Sequence, residues 1–73
     1  MPPNPLPYRE VRRKLLAAGF QEVAQVGSHV KFGKEMGAGL RTATVPKHRE
    51  VAVGTIRSIL RQAGISMEEW ETL

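Results

Sequence analysis

Cysteine is absent from this 73-residue chain, so it can build neither a disulfide framework nor a thiolate metal site, and a reducing cytoplasm is the simplest compartment to read from it. Also missing are a basic start followed by an apolar signal segment and any apolar run of membrane-spanning length. A soluble, cytoplasmic protein that engages no membrane is expected. Metal ligands are scarce as well: the two histidines, His29 and His48, lie nineteen residues apart with no flanking carboxylate at ligand spacing. Neither metal nor cofactor is expected. The glycines between residues 33 and 39 lack the Lys-Ser/Thr ending of a phosphate-binding loop. Ser28 and His29 are neighbours on an extended stretch, where side chains diverge, so they cannot form the nucleophile and base of a serine hydrolase.

A chain this short makes one domain, with a core near the lower size at which a fold stands unaided. No internal repeat or second domain interrupts it. Acidic residues are few and unevenly placed. Residues 8–61 hold all eleven Lys and Arg and only four Glu (Glu10, Glu22, Glu35, Glu50), a balance of +7, whereas the last twelve hold Glu68, Glu69 and Glu71 and no basic residue. A basic body suits a polyanion such as nucleic acid, and equally a charged surface that only keeps the protein dissolved. The acidic end would be kept away from nucleic acid.

Four of the five prolines fall in residues 1–7, which predicts a flexible, extended leader ahead of a single domain over 8–73. From Tyr8 to Ala18 the residues Tyr8, Val11, Leu15 and Ala18, with Leu16 alongside, recur at helical spacing, and Gly19 ends the helix. Its other face carries Arg9, Arg12, Arg13 and Lys14, with Glu10 placed to pair with Lys14 one turn on. Phe20 to Val26 is a strand, Gly27-Ser28 a tight turn, His29 to Lys34 a second strand, Gly33 to Leu40 a flexible hairpin loop, and Arg41 to Val45 a third strand that Pro46 stops. Lys47 to Ala52 is a polar connector. Ile56, Ile59, Leu60 and Ala63 then form the stripe of a second helix, closed by Gly64, with Gly54-Thr55 at its start where capping or an anion contact is expected. Arg57 and Arg61 lie on its exposed flank. Ser66 and Glu69 make a capping box for a short final helix with Met67, Trp70 and Leu73 on one face. The expected fold is α+β, in the order α-β-β-β-α, with a three-stranded antiparallel sheet and both main helices on one face.

In the second strand Val30 and Phe32 alternate with His29 and Lys31, so the apolar pair faces the core and the imidazole and ammonium share the open face. Two readings of His29 follow. It is a polar residue on the solvent side of a strand, or a proton carrier in cleavage of RNA, which brings its own nucleophile in the 2′-OH and asks a protein only to move protons and stabilise charge on the phosphate. An imidazole ordinarily titrates near pH 6.5 and serves either as acid or as base.

From Tyr8 onward nearly the whole chain resembles the HicA family of toxin mRNA interferases. The likeness is carried by Lys14-Leu15-Leu16-Ala17-Ala18-Gly19-Phe20, Gly27-Ser28-His29, Thr44-Val45-Pro46 with His48, Gly54-Thr55-Ile56-Arg57, Ile59-Leu60 and Ala63-Gly64-Ile65. The resemblance implies a fold like that of double-stranded-RNA-binding domains and a metal-independent endoribonuclease acting on mRNA. It also implies a HicB-like antitoxin partner and a catalytic histidine at the Gly-Ser-His motif, here His29. Family members often have a second histidine directly after it, where this chain has Val30, and the hairpin over 33–40 departs from their common His-Pro-Asp-Gly turn. His48 matches a recurrent family position and is a candidate second proton carrier. Lys31, Lys47 and Arg41 are the expected RNA contacts. A noncatalytic RNA-binding module with the same basic surface, and a pure interaction domain, are the alternatives.

Overall fold

The computed structural model describes residues 4–73. The elements are β1 (Leu6–Pro7), α1 (Tyr8–Ala17), β2 (Gln21–Val26), β3 (His29–Met36), β4 (Gly39–Pro46), β5 (Glu50–Val51), α2 (Val53–Ala63) and α3 (Met67–Thr72). Strands β2, β3 and β4 form an antiparallel meander with β3 in the middle, as the two short hairpin connections require. The period-2 alternation of β3 and β4 sends Val30, Phe32, Ala43 and Val45 to one face. There they meet Val11 and Leu15 of α1, Ile56, Ile59, Leu60 and Ala63 of α2, and Trp70 of α3 in one core. The Cα extents, 31 × 30 × 17 Å, leave room in the thin direction for one sheet and one helical layer. The second face of the sheet is therefore bare. No helix among the described residues is long and apolar enough to cross a membrane.

Several local expectations give way to tertiary contacts. The flexible loop over 33–40 is instead a continuation of two strands to a turn at Gly37 and Ala38, with Gly33 paired to Thr42 and Gln21 inside the ladder. Glycine reads as a loop signal, but at Gly33 the missing side chain makes room on the bare face: a Cβ there would stand 3.2 Å from both Val23 and Leu40 side chains. The polar connector contains β5, and the end of the proline-rich leader contains β1; the two pair as Leu6 with Val51 and Pro7 with Glu50. Leu6 packs on the core and Val51 is buried, which is the gain that holds these two-residue strands in place. The looseness expected of residues 1–3 lies outside the described residues.

Glu10 bonds Arg13 rather than Lys14, because the Lys14 ammonium turns to the end of α3, donating to the Trp70 carbonyl at 2.8 Å and lying 5.2 Å from the Trp70 ring centroid. Helix α2 begins one residue earlier than Gly54, with Ala52 in the cap position and no side-chain cap bond, so Thr55 does not cap it. Gly64 closes α2 in the left-handed conformation as expected. Ser66 caps α3, its Oγ accepting from the Glu69 N–H at 3.0 Å.

Candidate active site on the bare sheet face

Gly27 and Ser28 are the central residues of the β2–β3 turn. Gly27 takes φ +58° and, among the described residues, no non-glycine residue is positive, the pattern of a two-residue hairpin turn with glycine first. This turn sets the register, with Val26 opposite His29, and so makes His29 the first residue of the central strand. Burial of Val30 and Phe32, 1% and 0% exposed, then pins the strand. A slip by one residue would put the apolar pair in water.

His29 stands between Val26 and Pro46, and Lys31 between Ala24 and Thr44, all on the bare face. The two polar residues are both exposed and two positions apart, about 7 Å along the strand. Neither makes a side-chain hydrogen bond or ion pair among the described residues. Val26, opposite His29, is 79% exposed and puts apolar surface beside the imidazole, while the exposed Val23 and Leu40 lie farther along the same face, flanking Gly33.

The other expected site residues divide into two groups. Lys47 follows Pro46, the partner of His29, and its backbone N–H donates to the Ser28 carbonyl at 2.5 Å, which ties the β4–β5 connector to the turn that holds His29. His48 comes next, exposed, in a shallow hollow lined also by Pro7, Tyr8, Arg9, Lys47 and Arg49. Arg41 is not brought to this end. It pairs with Lys34 five positions back along β4, about 17 Å from Pro46, and its Nε donates to the Gln62 carbonyl at 3.1 Å.

Arg9 and Arg49 were not singled out by reading the sequence. The run Lys47-His48-Arg49 just past a strand-ending proline was a usable signal for Arg49. For Arg9 there was none, because only the β1–β5 pairing brings the start of α1 beside the connector. Among the described residues no group of three or more His, Cys, Asp or Glu side chains is placed to hold a metal ion.

Over residues 8–65 the sequence matches the family model described as HicA toxin of bacterial toxin-antitoxin. The chain belongs to the HicA toxin family. The match runs from the start of α1 to just past α2, so His29, Lys31, Lys47 and His48 lie within it while β1 and α3 lie outside. None of the curated proteins matches the chain. A HicA toxin is one half of a toxin–antitoxin pair, so membership implies an antitoxin partner for this chain.

Proposed function

We propose that this HicA-family chain is a metal-independent endoribonuclease that cuts mRNA, with His29 as general acid/base, and that a HicB-like antitoxin silences it by covering the bare sheet face. The observation that carries the reading is the pair His29 and Lys31, exposed side by side on the sheet face away from the helices and without a side-chain partner among the described residues. In the proposed step the neutral imidazole takes the proton of a ribose 2′-OH, whose oxygen attacks the adjacent phosphorus. The P–O5′ bond breaks, and the 5′-oxygen receives a proton as it leaves. The Lys31 ammonium offsets the negative charge that builds on the phosphoryl oxygens. His48 is the second proton carrier in this scheme, delivering the proton to the leaving oxygen.

Purified protein is expected to cut single-stranded RNA in excess EDTA and to leave 2′,3′-cyclic phosphate ends. His29→Ala should lose roughly 10²-fold or more in kcat while its circular dichroism stays that of the wild type. His48→Ala should remove one limb of the pH–rate profile. Cutting that stops in EDTA would sink the mechanism. RNA binding without any cutting would favour the noncatalytic RNA-binding module, which the same basic surface also supports.

A further inference from the structure

Of the chain's eleven basic side chains five are held by partners, and six are free among the described residues, Lys31, Arg57 and Arg61 standing apart from the other three. Arg12 and Arg13 are held by Glu22 and Glu10, Lys14 and Lys34 donate to the carbonyls of Trp70 and Ala18, and Arg41 donates to that of Gln62. Arg9, Lys47 and Arg49 have no ion pair or side-chain hydrogen bond among the described residues, yet they converge with His48 on one hollow between the start of α1 and the β4–β5 connector. Three unneutralised cations in one concavity repel each other, and an anion seated among them relieves that cost. Lys47 is also positioned: its ammonium lies 5.7 Å from the Tyr8 ring centroid, a contact that holds the group in place without cancelling its charge. Two acids are near: Glu50 lines the adjoining hollow with Pro7, Arg9 and Arg49 and forms no ion pair with either arginine, and Glu10, held by Arg13, also feels the charge of Arg9.

The hollow is tied to the candidate active site by one backbone contact. Lys47 is bonded through its backbone to Ser28, the residue before His29, so the hollow lies at the end of β3 where His29 stands, within reach of an RNA strand that crosses Lys31 and His29 and bends past that end. Guanidinium groups grip phosphate oxygens through two parallel N–H donors, a geometry suited to a backbone and indifferent to base sequence.

We propose that this hollow is a phosphate subsite for the RNA backbone beside the cleavage point, with Arg9, Lys47 and Arg49 as its contacts, and that these three cations, unlike His48 of the same hollow, set substrate affinity rather than the rate of bond breaking. The assignment rests on the reading of the bare face as a ribonuclease site and extends it with two residues outside that face. A contact made equally in ground and transition states lowers KM and leaves kcat alone.

The test compares full-length wild type, Arg9→Gln/Arg49→Gln, and Arg57→Gln/Arg61→Gln, which removes the same charge from the exposed flank of α2. The binding probe is a single-stranded oligonucleotide methylated at every 2′-oxygen, which has no nucleophile and stays intact. For Arg9→Gln/Arg49→Gln the slope of log K against log salt should flatten by about 1.4 if each arginine meets its own phosphate and about 0.7 if they share one. KM for cleavable RNA should rise about tenfold with kcat unchanged, and the thermal melt should match wild type because both arginines are exposed. The α2 variant should stay close to wild type in both measurements. Wild-type affinity and slope in Arg9→Gln/Arg49→Gln overturn the subsite, as does an equal loss in the α2 variant, and cutting by His29 would stand in either case. Arginine-dependent binding by a wild type that never cuts RNA supports the subsite and sinks the nuclease reading. A wild type that binds no RNA overturns both.

Discussion

The hydroxyl of Tyr8 is shielded from solvent and has no hydrogen-bond partner among the described residues. Burial first, and then the negative charge of Glu22, push the phenol above its ordinary value near 10, with Arg12 acting in the opposite direction. A raised folded-state pKa means that its contribution to stability is fully present below about pH 10 and is lost as pH rises through the folded value. Tyr8→Phe removes that liability and keeps the ring under Lys47. It should be as stable as wild type or up to about 1 kcal/mol more stable at neutral pH, and its advantage should widen in alkali. Denaturant melts at neutral pH and above pH 10 check this; a Tyr8→Phe protein clearly weaker at neutral pH would show that the hydroxyl has a partner. Glu10 shows the reverse sign: hydrogen bonding from Arg13 holds its carboxyl below the usual range, so what it contributes is lost as pH falls through that lowered value. Surface pairs of this kind contribute little.

Strand β3 joins the two faces of the domain, since the same alternation that buries Val30 and Phe32 displays His29 and Lys31. Its neighbours differ in how their outer edges are finished. The outer edge of β4 is closed in part by α2, where the Thr44 N–H donates to Gln62 Oε1 at 3.0 Å. Strand β2 is exposed along its length and places Val26 opposite His29. An inhibitor that covers His29 must therefore also bury Val26, a gain of about 1 to 1.5 kcal/mol from apolar area. Val26→Asn is expected to bind a HicB-like antitoxin roughly tenfold more weakly while cutting RNA with wild-type kcat. Growth arrest by this variant should then need more antitoxin to relieve. If the antitoxin binds Val26→Asn as tightly as wild type, it does not cover this face in the proposed way.

At the scale of the whole molecule, a single sheet backed by one helical layer leaves little reserve of stability. Domains of this size sit near the low end of about 5 to 15 kcal/mol. Helix α3 lies beyond the family match, yet Trp70 is 2% exposed and joins the same core as Phe32 and Leu15. Trp70→Ala should cost about 3 to 5 kcal/mol, most of what the fold has. Urea melts would measure it, and toxicity in cells should be lost although the bare face is untouched. A loss under about 1 kcal/mol would mean that α3 is an accessory to the core.

Much of this arrangement is legible in the amino-acid order because it depends on near neighbours. Spacings of two in β3 and β4, and of three and four in α1 and α2, partition side chains between core and water by themselves. That is enough to place His29 and Lys31 together on the open face, and Gly27-Ser28 is enough to end β2 where it does. What tertiary structure decided joins residues with no local pattern to announce them. Strands β1 and β5 are two residues each, too short to show a period, and they exist because Leu6 and Val51 gain burial by pairing across the chain. Gly33 reads as loop until Val23 and Leu40 are seen to need its missing side chain. Lys14 leaves Glu10 for the Trp70 carbonyl. The meeting of Arg9 with Arg49, forty residues apart in sequence, follows from the path of the backbone through the β1–β5 pair, since charge spacing along the chain carries no record of which distant segments hydrogen bonds bring together.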